Sequence, residues 1–160
     1  GQRINSQKSC FLTYPEFPSQ RAAAIGQILG FQKRAFPVRY LGCPLYVGRR
    51  TKVYFADMYN VVAAHILSWR NKLLSNGGRV VLIQSVLVSM PMHLLAASSP
   101  PRGVLVALER LFVEFLWGSS DFGSKYHWFR WKDLCRPQEE GEVGLRSLKG
   151  VHDAFSIKLW

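Results

Sequence analysis

Val53-Tyr54-Phe55-Ala56-Asp57-Met58-Tyr59-Asn60-Val61-Val62-Ala63-Ala64-His65-Ile66-Leu67-Ser68-Trp69-Arg70-Asn71-Lys72-Leu73 is the stretch on which the fold turns. Phe55, Tyr59, Val62, Ile66, Trp69 and Leu73 recur at alternating intervals of four and three, which places them on one helical stripe. The spacing predicts a helix of about 20 residues ending before Asn76-Gly77-Gly78. Val80, Ile83, Leu87 and Met90 repeat the pattern. After the breaker Pro100-Pro101, Leu105, Leu108, Leu111 or Phe112, and Phe115 do so again. Three apolar-striped helices with short links predict a compact antiparallel bundle over residues 51–118.

Working outward toward the N-terminus, Ser9 to Tyr14 alternates loosely and stops at Pro15, as a short strand does. Gln20 to Leu29 reads as a short Ala-rich helix closed by Gly30. Phe36 to Val47 holds Pro37, Gly42 and Pro44, which forbid a regular central strand and predict a bent hairpin or edge ribbon. Residues 1–50 form this first segment. Toward the C-terminus, Ser119 to Ser124 is loop-like. Tyr126-His127-Trp128-Phe129-Arg130-Trp131 alternates as a strand would, with Trp128 and Arg130 on one face. Arg136-Pro137 and Glu139-Glu140 mark a turn, and Leu145 to Trp160 reads as a last helix. Residues 119–160 are thus expected to make a small aromatic subdomain. The fold class is mainly α with a small β component.

The 160 residues suit one domain, and an apolar fraction of 48% with five Trp is a globular composition. The net charge of +11 is uneven: residues 1–80 carry twelve Lys and Arg against Glu16 and Asp57, whereas residues 81–160 carry nine against eight acids. A concentrated positive field suits a polyanion, because each neutralised phosphate releases condensed counterions. Cys10, Cys43 and Cys135 are odd in number and far apart, which argues against a disulfide framework and for a reducing compartment, nuclear or cytoplasmic. The chain opens Gly1-Gln2-Arg3-Ile4-Asn5 without Met or targeting segment and reads as an internal stretch of a longer protein. Val80 to Ala97 is uncharged, but Gln84, Ser85, Ser89, Pro91 and His93 punctuate it. It reads as a buried helix broken near Pro91, and no membrane partner is expected.

The residue patterns that catalysis needs do not occur in the sequence. Two-metal chemistry needs paired carboxylates, and the one adjacent acidic pair, Glu139-Glu140, lies in a turn. There is no zinc spacing, no Gly-x-Ser-x-Gly elbow and no phosphate-binding Gly-Lys-Ser/Thr loop, and His65, His93, His127 and His152 are scattered. Neither metal nor cofactor is implied, and no enzyme activity of the chain on its own. Cations interleaved with aromatics are the positive signal: Lys33-Arg34, Arg39-Tyr40, Arg49-Arg50, Lys52, Trp69-Arg70, Lys72 and Arg79. Guanidinium groups bind phosphate in two-pronged fashion and rings stack on bases or sugars, so this mixture can hold a nucleic-acid backbone without reading its sequence.

Several linked motifs carry a resemblance. Phe36-Pro37-Val38-Arg39-Tyr40-Leu41-Gly42-Cys43-Pro44-Leu45 resembles the segment that follows the polymerase active site in plant LINE-type reverse transcriptases. Ile4-Asn5 with Lys8-Ser9, and Leu67-Ser68-Trp69 through Lys72-Leu73-Leu74-Ser75 to Gly77-Gly78-Arg79, are similar to two further segments of that family. Leu82 to Leu87, Phe115-Leu116-Trp117-Gly118, Trp131 to Pro137 and Gly144 to Leu148 keep the family's order and approximate spacing. The resemblance implies that Tyr40-Leu41-Gly42 is a primer-grip-like hairpin at the palm edge and that Val53 to Trp117 is the thumb, which tracks the template–primer hybrid. Arg39, Tyr40 and Gly42 would shape the primer end, and Arg49, Arg50, Lys52, Arg70, Lys72 and Arg79 would hold phosphates. The implied partners are an RNA/DNA hybrid and the rest of the polymerase. The family's catalytic Asp-Asp segment, its fingers and most of its palm are not among these residues. Nor are the Cys/His-rich region that usually follows and the ribonuclease H domain that sometimes does. Glu142 stands where the family usually has a second glycine. The alternative expectation is a captured or decayed retrotransposon segment that recruits a protein partner, with Trp117, Trp128, Trp131 and Trp160 as an apolar docking patch.

Overall fold

A computed structural model of the chain describes residues 4–70, 72–118, 129–137, 139 and 143–158. The chain divides into two units, Gly1–Arg49 and Arg50–Trp160. Its fold is mainly α with a small β component, as its hydrophobic periods require.

In the first unit, strand β1 (Cys10–Leu12), helix α1 (Ser19–Leu29) and strand β2 (Gln32–Arg34) form a βαβ unit in which β1 and β2 run parallel, with Cys10 opposite Gln32 and Leu12 opposite Arg34. Gly30 ends α1 in the left-handed conformation at φ 68°, and its N–H donates to the Gly26 carbonyl. The hairpin follows as β3 (Val38–Tyr40) and β4 (Cys43–Leu45), paired antiparallel with Tyr40 opposite Cys43. Leu41 at φ 50° and Gly42 at φ 82° make the two-residue turn, both central residues left-handed as the twist of such a hairpin demands. Pro44, which cannot donate to a ladder, lies in a two-stranded ribbon and so interrupts no larger sheet.

The second unit opens with a 3₁₀ turn, Lys52–Phe55, whose Phe55 is fully buried, and runs into α2 (Ala56–Arg70). Val62 and Ile66 of the stripe are buried and Trp69 is half-buried. The expected helix is therefore shorter than the spacing suggested: it stops at Arg70, and Leu73 is fully exposed rather than part of the stripe. Asn76-Gly77-Gly78 does not break a helix but starts one. Ser75 Oγ accepts the Gly78 N–H at 3.1 Å, and this cap begins α3 (Asn76–Leu82), where glycine in the first turn costs little packing. A π turn, Ile83–Leu87, and the buried Pro91 then interrupt the run before α4 (Met92–Ala97). Among the described residues no helix is long and apolar enough to cross a membrane.

Helix α5 (Arg102–Trp117) is the centre of this unit. Its Val104, Leu105, Leu108, Phe112, Phe115 and Leu116 are buried, and α2, α3 and α7 (Leu148–Lys158) all pack on it. The last helix thus shares the bundle's core. Glu109 of α5 fixes it, its Oε1 accepting from the Leu148 N–H at 2.8 Å and from Ser147 Oγ at 3.1 Å. The strand expected over 126–131 is not found where the residues are described: Trp131 opens a short helix, α6 (Trp131–Leu134), and its ring packs 5.9 Å from Phe112. Tyr126, His127 and Trp128 lie outside the described residues, as does Glu142.

Candidate nucleic-acid interface

Each unit carries its own set of the cations singled out by sequence. In the first, the hairpin presents Arg39 and Tyr40 on β3 and Gly42 in the turn, with Tyr40 64% exposed and Arg39 and Arg49 exposed. The Leu41 side chain stands out from the turn, 81% exposed. A bulky residue in left-handed backbone costs roughly 1 kcal/mol, so the turn holds its geometry against a local preference. Lys33 and Arg34 on β2 are exposed as well.

In the second unit, Arg70 from the end of α2, Lys72 from the link and Arg79 from α3 converge on one open cleft of about 450 Å³, with Leu73, Leu74 and Ser75 completing its walls. The Ser75 cap contributes to this, since it starts α3 at Asn76, soon after α2 ends at Arg70. Arg70 and Arg79 also border a neighbouring cleft of about 330 Å³, floored by Trp69 and Phe115, whose rings lie 5.9 Å apart, and containing Glu114. Arg79 has a structural role besides. Its Nη1 donates to the carbonyls of Phe115 at 3.3 Å and Leu116 at 3.2 Å, closing the C-terminal end of α5 where a cation is favoured. Arg50 and Lys52 lie elsewhere in this unit. Arg50 Nη1 donates to the Ser99 carbonyl at 3.1 Å, and the Lys52 stem crosses the first turn of α5 at Gly103.

The acids and thiols are spoken for or scattered. Glu109 caps α7, and Asp133 pairs with Arg130 and Arg136. Among the described residues no group of three His, Cys, Asp or Glu side chains is placed to hold a metal ion. The Cys135 thiol is pushed from 9.0 to about 12, first by burial and then by the neighbouring Glu109 carboxylate, so it stays protonated and poorly nucleophilic at neutral pH. Of the four tryptophans considered for a docking patch, Trp131 packs on α5 and Trp117 is half-buried. Trp128 and Trp160 lie outside the described residues.

Comparison with known proteins adds one relative. The chain is 34% identical over 116 residues to an Arabidopsis thaliana protein named "Putative ribonuclease H protein", an alignment covering 72% of this chain. The matched segment is 19% of that plant protein's length, so the chain corresponds to about a fifth of the relative. No family model matches the chain, and no solved structure matches it.

Proposed function

We propose that this chain is the thumb and adjoining part of a LINE-type reverse transcriptase and holds the RNA/DNA template–primer hybrid by backbone contacts. The observation that carries this reading is the convergence of Arg70, Lys72 and Arg79 on a single open cleft, a distribution of charge suited to a phosphate backbone. The plant relative supports it from a second direction. A protein named for ribonuclease H fits a family in which such a domain sometimes follows the polymerase. The polymerase chemistry itself belongs to carboxylates outside this chain, and the role proposed for these residues is grip.

The test is a paired substitution. Arg79 closes α5, so replacing it would confuse folding with binding, and the variant used is Arg70→Ala with Lys72→Ala, with its unfolding midpoint measured beside its affinity. At low salt it should bind an RNA/DNA hybrid roughly tenfold to a hundredfold more weakly than the parent chain, each lost cation removing on the order of 1.4 kcal/mol. Unchanged affinity, measured by fluorescence anisotropy, contradicts the reading.

A further inference from the structure

Three cations outside the Arg70–Lys72–Arg79 cleft are gathered at another place in the second unit. The 3₁₀ turn Lys52–Phe55 is anchored by Phe55, which is 1% exposed and packs toward α5, so the start of the turn cannot drift from that helix. Lys52 consequently lies across the first turn of α5. A Cβ built on Gly103 would sit 2.6 Å from Lys52 Cε and 3.0 Å from its Nζ, so the ammonium occupies space that any other residue at 103 would claim. Two residues earlier in the chain, Arg50 is tied by its hydrogen bond to Ser99, just before α5 begins. Arg102 is exposed beside Gly103.

The nearest acid in the chain is Asp57, in the first turn of α2. The first turn of α5 has no acid, and among the described residues no ion pair involves Arg50, Lys52 or Arg102. Like charges held close by their segments repel, and a bound anion relieves that repulsion.

We propose that Arg50, Lys52 and Arg102 form a second phosphodiester-binding cluster on the helical unit, with Gly103 as the position that seats Lys52. This rests on the nucleic-acid-holding reading above and extends it to Arg102 and Gly103. Neither residue stood out in the sequence, because Arg102 follows a Pro-Pro breaker and Gly103 looks like an ordinary weak helix residue. The cluster is a grip on the backbone, with no means to read bases.

Gly103→Ala tests it cleanly, because alanine favours a helix over glycine and the variant should fold at least as well as the parent. The added methyl displaces only the flexible end of Lys52. Binding of an RNA/DNA hybrid at low salt should weaken about threefold to tenfold in Gly103→Ala, in Lys52→Ala and in Arg102→Ala. The Lys52→Ala, Gly103→Ala double variant should match Lys52→Ala alone, since the methyl has no ammonium left to displace. Parent-like affinity in Gly103→Ala or Arg102→Ala overturns the proposal, as do losses that multiply in the double variant. Effects confined to anionic lipid vesicles, with hybrid binding unchanged, overturn it too. If the parent chain binds the hybrid and Arg70→Ala with Lys72→Ala weakens it while Gly103→Ala does not, only this second cluster falls. If the parent does not bind at all, both readings fall.

Discussion

Arg79 shows how one side chain divides between folding and function. In sequence it is one more cation after Gly77-Gly78. In the fold its guanidinium satisfies two carbonyls at the end of α5 while its flank borders the basic cleft. Arg79→Ala should therefore lower the unfolding free energy by about 1.5 kcal/mol, with Arg79→Lys recovering part of the loss, as read from urea denaturation. Stability indistinguishable from the parent would remove the cap from the account. Cys135 makes a prediction of opposite kind. The unfolded chain releases this proton from about pH 9, whereas the folded chain keeps it until about 12, so the folded state holds the extra proton between those values. Stability due to this group is intact below pH 9 and falls as pH rises toward 12. Cys135→Ala should flatten that part of the alkaline decline, and alkylation of the native chain at pH 8.5 should leave Cys135 unmodified by mass spectrometry. A parent-like decline in Cys135→Ala, or prompt native-state alkylation, would contradict the assignment.

At the scale of elements, α3 depends on its cap more than on its packing. None of its residues is buried, so Ser75, the Arg79 bonds and its contact with α5 hold it. Ser75→Ala should cost about 1 kcal/mol and lower amide-exchange protection in α3 while leaving α5 protected. Equal loss in both helices would mean that the cap stabilises the whole unit and not the element. The same helix marks where reading from sequence stopped working. Gly77-Gly78 was expected to end the previous helix, because glycine usually signals an end and the Ser75 cap is visible only once the link has turned. Helix α1, its Gly30 stop and the α5 stripe were legible, since each is written in local spacing. The parallel pairing of β1 with β2 was not: Gln32-Lys33-Arg34 is polar and exposed throughout and shows no alternation. Gly42 announced the hairpin turn, but nothing in the sequence marked Leu41 as sharing its left-handed backbone.

For the whole molecule, burial and charge are distributed differently. The buried apolar side chains lie almost entirely in the second unit; among the described residues of the first, only Ala22 joins them. The basic half of the sequence reaches across both units, with the hairpin cations in the first and Arg50, Lys52, Arg70, Lys72 and Arg79 in the second. The convergence of Arg70, Lys72 and Arg79 could be anticipated only as a list, because their meeting depends on where α2 stops. Arg102 and Gly103 were invisible for the same reason, since their relation to Lys52 exists only across the fold. The charge imbalance itself was plain from composition, and it is the feature on which the proposed grip depends. The most direct measurement is the salt dependence of the chain's affinity for RNA/DNA hybrids of two unrelated sequences. A backbone grip by five or more cations predicts slopes of log affinity against log salt of about −4.5 or steeper, at roughly 0.9 per phosphate neutralised, and the same slope for both sequences. A slope near zero, or binding to one sequence alone, would contradict it.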